Sequence, residues 1–252
     1  MYILTMLLMA ILFTTYVDNT MRRRYLGSGE EKIDLSKPYF AIEALEDGLE
    51  VKFHNSYEYC IDDGIWKKGI FYDKHQINAG QSLYIRATLT PKDNEGIGDF
   101  LISGRCNLSG NIMSLLFGDD FEEQTDLTGY KYAFSTLFKN CRGVVDASNL
   151  ILPATTLVES CYQYMFSDCT SLTTAPELPA TTLAKYCYSS MFMGCSKLKY
   201  IKMLATDISA DYCLHYWVNG VSNTGTFVKN KDATWNVTGD DGIPSRWTVQ
   251  TA

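Results

Sequence analysis

A β-rich, mixed α+β chain is predicted, with an N-terminal antiparallel β-sandwich, a short repeat solenoid and a β-rich C-terminal cap. Three observations carry this reading. Short runs of alternating apolar and polar residues, separated by turn dipeptides, fill residues 38–118. A 26-residue block recurs without a gap between positions 152 and 203. The tail from Thr226 is rich in Thr and Val and carries Trp235 and Trp247.

The bulk composition fits a folded chain and narrows its partners. Of 252 residues, 46% are apolar and 20% charged, the balance of a globular protein long enough for two ordinary domains. A net charge of −7 argues against a nucleic-acid partner. Arg22-Arg23-Arg24 and Lys67-Lys68 read as solvated charge. Eight cysteines are too sparse for a scaffold that depends on disulfides.

Residues 1–24 form an apolar run followed by three arginines. Three readings stay open. The first is an over-extended gene start with Met21 as the native beginning. The second is a membrane anchor, although 17 apolar residues are short for a span and the arginines would hold that flank in the cytoplasm. The third is a cleaved signal, although no Lys or Arg precedes the run and Thr14–Val17 is a poor cleavage site. A membrane contact is expected only through this segment, if it is retained.

Residues 25–37 read as a polar linker and 38–118 as the sandwich. Strands are expected at Tyr39–Glu43, Leu49–His54, Tyr57–Ile61, Ser82–Thr90, Gly98–Ser103 and Asn111–Leu116, with turns at Asp47-Gly48, Asp63-Gly64, Ala79-Gly80 and Asn94-Glu95-Gly96. Residues 119–129 are acidic and read as a solvated linker. Calcium is the alternative, because oxygen-rich loops suit that ion, but the spacing fits no EF-hand.

Residues 130–225 hold the repeats. Segments 152–177 and 178–203 agree at 12 of 26 positions, and Cys213 follows Cys187 by 26 again. A period near 26 lies in the range of leucine-rich repeats, so a leucine-rich-repeat solenoid is expected. One coil cannot bury its own apolar face, whereas stacked coils share a core. Leu157 with Leu183, Phe166 with Phe192 and Leu172 with Leu198 are then inward ladders. Thr170–Pro176 is expected on the strand side, and Tyr162–Phe166 opposite it as a helical turn or short helix. Cysteines share the period: Cys161, Cys187 and Cys213 in one column, Cys141, Cys169 and Cys195 in another. Buried thiol ladders are the favoured reading, with disulfides and zinc as alternatives; the nearest Cys spacing, eight, is wide for a zinc pair. Residues 226–252 are expected to cap the open end.

The run Met-Phe-x-x-Cys-x-x-Leu followed by Ala-Pro-Glu-Leu-Pro-Ala-Thr-Thr-Leu, over roughly residues 130–220, resembles BspA-like leucine-rich repeat proteins of Bacteroidales and their phages. Gly96-Ile97-Gly98, the segment Gly110–Gly118 and the ending Gly242–Val249 are similar to the parts that accompany those repeats. The resemblance implies adhesion to a host or bacterial surface protein or glycan, with display on the cell surface or outside the cell. It implies no catalytic residues. A phage virion or fibre-associated protein is the alternative.

No enzyme motif stands out. His54, His75 and His215 form no metal-spaced pair, and no phosphate loop, dinucleotide fingerprint or nucleophile elbow occurs. Glu46/Asp47 and Asp62/Asp63 sit in turn-like text, so a glycan-active enzyme is the weaker reading. No cofactor or metal is expected. Positions that change between repeats are expected on the surface: Glu159/Lys185, Ser160/Tyr186, Gln163/Ser189, Tyr164/Ser190, Thr173/Lys199 and Thr174/Tyr200. Tyr164, Tyr186 and Tyr200, with Lys185 and Lys199, are the candidate ligand contacts, since an exposed aromatic pairs an apolar body with a polar tip.

Overall fold

A computed structural model describes residues 31–91 and 96–252, and residues 33–252 form one compact unit. The apolar run and arginines of 1–24, the first part of the expected linker and the expected Asn94-Glu95 turn lie outside the described residues. Strand accounts for 32% of the described residues and helix for 3%, so the protein is β-rich. Among the described residues its one α-helix is the four-residue α1, Ser114–Phe117.

Strand β1 (Phe40–Ala44) runs antiparallel to β6 (Ser82–Arg86) on one side and β8 (Cys106–Asn111) on the other. β3 (Tyr57–Ile61) extends the sheet beyond β6, and β4 (Lys67–Gly69) forms its edge. A second antiparallel sheet sets β2 (Leu49–Phe53) between β5 (Lys74–Ile77) and β7 (Phe100–Ser103). The period of two selects the buried faces: Leu49, Val51 and Phe53 of β2 are at most 1% exposed, while Glu50 and Lys52 point outward. Each such apolar side chain stabilises by about 1.5–3 kcal/mol relative to an exposed one.

The edge strands β4 and β5 are absent from the expectation. Their lysines, Lys67, Lys68 and Lys74, hide the alternation, and charge of this kind suits an edge because it discourages further pairing. The strand expected at Asn111–Leu116 is also corrected. Asn111 Oδ1 accepts the Met113 N–H at 3.0 Å, an Asx turn that ends β8, and the apolar run after it winds into α1. At Gly110 the chain passes so close to Tyr39 that a Cβ would lie 1.9 Å from its carbonyl oxygen. Only glycine fits there.

β9 (Val144–Ile151) joins β8 in parallel, where the sheet changes sense. Thr174 then bridges Asp146 of β9 and Tyr200, the first residue of β10 (Tyr200–Met203). β11 (Thr226–Lys229) and β12 (Thr248–Thr251) continue in parallel. The segment expected as the strand side, Thr170–Pro176, is thus reduced to one bridging residue. Through it the N-terminal sheet runs on into the ladder of the repeats.

Across from this ladder, the repeat segments are not helical, contrary to the expectation for Tyr162–Phe166. They are runs of consecutive turns in which the amides alternate in destination. Odd-numbered amides bond within the coil, as Met165 N–H to Tyr162 O at 3.2 Å and Cys169 N–H to Phe166 O at 3.0 Å. Even-numbered amides cross to the next coil, as Tyr162 N–H to Cys187 O at 3.0 Å and Phe166 N–H to Met191 O at 2.9 Å. Every fourth residue is left-handed: Ser160, Tyr164 and Asp168, then Tyr186, Ser190 and Gly194, then Tyr212, Tyr216 and Gly220. A helix would send every amide back along its own segment. Here half of them tie the stack together.

The interior is an aromatic spine. Phe53, Phe100, Phe138, Phe166 and Phe192 stack with centroids 4.3, 5.5, 5.4 and 5.6 Å apart in turn, and Trp217 and Phe227 continue at 6.1 Å. A second column stacks Phe134, Tyr162 and Tyr188. Leu172, Leu198 and Leu183 are buried beside them, while Leu157 is half-buried. The acidic stretch 119–129 also contributes to the interior. Phe121 and Leu127 are fully buried, and Asp119 accepts hydrogen bonds from Arg86 and the Tyr39 hydroxyl, each at 2.6 Å. At the C-terminal end, Trp217, Trp235 and Trp247 donate their indole N–H groups to the carbonyls of Gly242, Ala205 and Ser222.

Candidate functional site

The left-handed positions determine what the turn side of the stack presents. One column holds Tyr132, Ser160, Tyr186 and Tyr212, and a second, four residues on, holds Thr136, Tyr164, Ser190 and Tyr216. Just before the first lies a charge column, Lys131, Glu159, Lys185 and Asp211. Signs alternate along it, the arrangement that neighbouring strands favour. Glu159 holds Lys131 at 2.9 Å and Lys185 at 3.7 Å, and the hydrogen bond from Lys131 keeps its carboxyl below the usual range.

The five expected contact residues do not converge. Tyr186 and Lys185 are together, with Lys185 Nζ 5.4 Å from the ring centroid. Tyr164 is half-buried one coil earlier, under Lys139 Nζ at 5.1 Å. Tyr200 and Lys199 are exposed on the strand side, where Tyr200 begins β10. Of the positions expected on the surface because they vary, Ser160, Ser189 and Ser190 are only 2–3% exposed. In the columns that hold Ser160 and Ser190, a short side chain sinks below the neighbouring tyrosines.

The most exposed aromatic group of the repeats lies one coil beyond the expectation. Tyr212 is 58% and Tyr216 48% exposed, and His215 sits between them with centroids 5.6 and 4.2 Å away. Tyr212 stacks on Tyr186 at 5.1 Å with planes 5° apart. Asp241 accepts the Tyr216 N–H at 2.6 Å and lies 3.8 Å from His215 Nδ1, so the segment between β11 and β12 anchors this edge. The sequence carries the signal: Tyr212 follows Tyr186 by the repeat period. Degeneracy of the surrounding text, which keeps Cys213 but replaces the Met-Phe pair with Trp217-Val218, obscured it.

All eight cysteines are free thiols and buried. Cys141, Cys169 and Cys195 donate their thiols to the carbonyls of Phe100, Phe138 and Phe166 at 3.1–3.2 Å, each reaching the aromatic spine one layer back. Burial pushes Cys141 and Cys161 up to about 12 and Cys213 to about 11. A thiol held protonated is a poor nucleophile and a poor metal ligand. Among the described residues no three His, Cys, Asp or Glu side chains converge on a metal position, and no helix is long and apolar enough to cross a membrane.

The arrangement is a β-rich stack with an aromatic edge and buried thiols. No family model, no curated protein and no solved structure matches this chain.

Proposed function

We propose that the protein is a non-enzymatic ligand-binding module, displayed on a bacterial surface, that recognises a host or bacterial surface protein or glycan. Its scaffold is a short leucine-rich-type solenoid continuous with a β-sandwich, in keeping with the BspA-like resemblance of the repeats. The coil-to-coil amide bonds and the stacked aromatic spine support the solenoid reading. Two facing sheets joined by Phe40 and Phe100, 5.5 Å apart, support the sandwich.

One observation carries the binding assignment: the exposed edge of Tyr186, Tyr212, His215 and Tyr216 on an otherwise well-packed stack. Exposed tyrosines held by a rigid backbone lose little entropy on binding and offer both an apolar ring and a hydroxyl. The test is a glycan and host-protein binding array on the full chain. Wild type binds a restricted set of ligands, and Tyr212→Ala with Tyr216→Ala reduces that signal at least about ten-fold, as loss of a contact hot spot does. The thermal midpoint stays within about a degree, since both side chains are largely exposed. Unchanged binding in the double variant would remove the assignment.

A further inference from the structure

A surface cleft of about 170 Å³ opens where the β5–β2–β7 sheet meets the first coil, lined by Glu50, Lys52, Leu101, Ser103, Lys139 and Asn140 among others. Pairing across the sheet sets Lys52 opposite Leu101 and Glu50 opposite Ser103, so these four share its outer face. Lys139 and Asn140 come from the end of the first coil, where Asn140 takes the left-handed conformation.

The polar groups here are unevenly satisfied. Glu50 is already paired with Lys74. Lys52 and Lys139 have no carboxylate within ion-pair distance among the described residues, and Lys139 is held only over the Tyr164 ring. The side chains of Ser103 and Asn140 likewise make no hydrogen bond among the described residues. An ammonium group without a carboxylate partner can give a ligand anion a charge-assisted hydrogen bond. In a chain of net charge −7, two such cations beside one cleft stand out.

We propose that this cleft binds a sugar-acid residue, with Lys52 and Lys139 taking its carboxylate and Ser103 and Asn140 its hydroxyls. A cleft of about 170 Å³ lies below the roughly 300–1,000 Å³ of pockets for drug-sized ligands and suits a single small residue. Leu101, 44% exposed, offers an apolar surface to the ring's C–H face. The site shares no residue with the tyrosine edge and stands or falls independently of it.

The test is calorimetric titration of the full chain with glucuronate, glucose and acetate. Glucuronate binds at least about ten-fold more tightly than either of the others, because charge-assisted and neutral hydrogen bonds act together. Raising ionic strength from about 0.01 M to about 0.1 M weakens it, as the screening length falls from about 30 to about 10 Å. Lys52→Gln and Lys139→Gln each lose about ten-fold with an unchanged thermal midpoint, whereas Lys197→Gln, exposed elsewhere, binds as wild type does. Glucuronate binding no tighter than glucose or acetate overturns the proposal, as do lysine variants without effect. Tighter capture of an oligoglutamate peptide overturns it too and assigns the cleft to acidic protein.

Discussion

His75 on β5 is 8% exposed, and its Nε2 lies in hydrogen-bond contact with the Tyr57 hydroxyl. Burial lowers its pKa below the ordinary value and raises that of Tyr57, so a neutral imidazole and a neutral phenol share this contact. The sign of the pH effect follows. As pH falls through about 6.5, the unfolded chain takes up a proton at this position before the folded one does, and stability is lost until the depressed folded value is passed. The thermal midpoint therefore drops as pH falls through about 6.5. In His75→Gln, which keeps a polar partner for Tyr57, the drop is smaller. An identical pH slope in both proteins contradicts this, and because His54 and His215 are common to both, they cancel in the comparison.

At the scale of the element, the coil is the unit of stability, and its centre is the phenylalanine of the spine. Phe166 is fully buried, stacked between Phe138 and Phe192. Phe166→Ala is expected to cost about 3–5 kcal/mol in denaturant unfolding, because the rings above and below cannot close the gap while their backbones are tied to each other. A loss below about 1 kcal/mol in that measurement would mean that the layers slide together, against close packing. The core of each coil was legible in the text because side chains that face inward are constrained to one size and recur. The turn conformation was less legible. Its clearest mark is the residue before each cysteine of the second column, Asn140, Asp168 and Gly194, all types that tolerate the left-handed region. Tyr164, Tyr186 and Tyr212 adopt the same region although bulky, so the rule is diluted by residues placed at the edge. The contact surface was half legible. Tyr186 could be found by comparing repeats, but Tyr212 and Tyr216 lie where the repeat fades, and Lys52 and Lys139 meet only in three dimensions.

On the scale of the whole molecule, a single set of buried residues extends from Ile33 to Trp247. The acidic segment that separates the two halves in the sequence feeds Phe121 and Leu127 into it, while Asp119 fastens the buried Arg86. Heat or denaturant is therefore expected to unfold residues 33–252 in one cooperative transition, with calorimetric and van't Hoff enthalpies equal. Two resolved transitions would instead show that the halves on either side of 119–129 are energetically separate.

The alternation of amide partners also constrains how such a chain changes in length. Each coil's amides bond at fixed register, so the loss or gain of one residue would exchange the amides that bond within the coil for those that cross to the next. Removal of residues 152–177 brings Leu178-Pro179-Ala180-Thr181-Thr182-Leu183 to the place of its twin, Leu152-Pro153-Ala154-Thr155-Thr156-Leu157, and the new neighbours meet in the old geometry. A gene for this protein can thus grow or shrink by recombination between its own copies, in whole layers, and the reach of the molecule is set by how many it keeps.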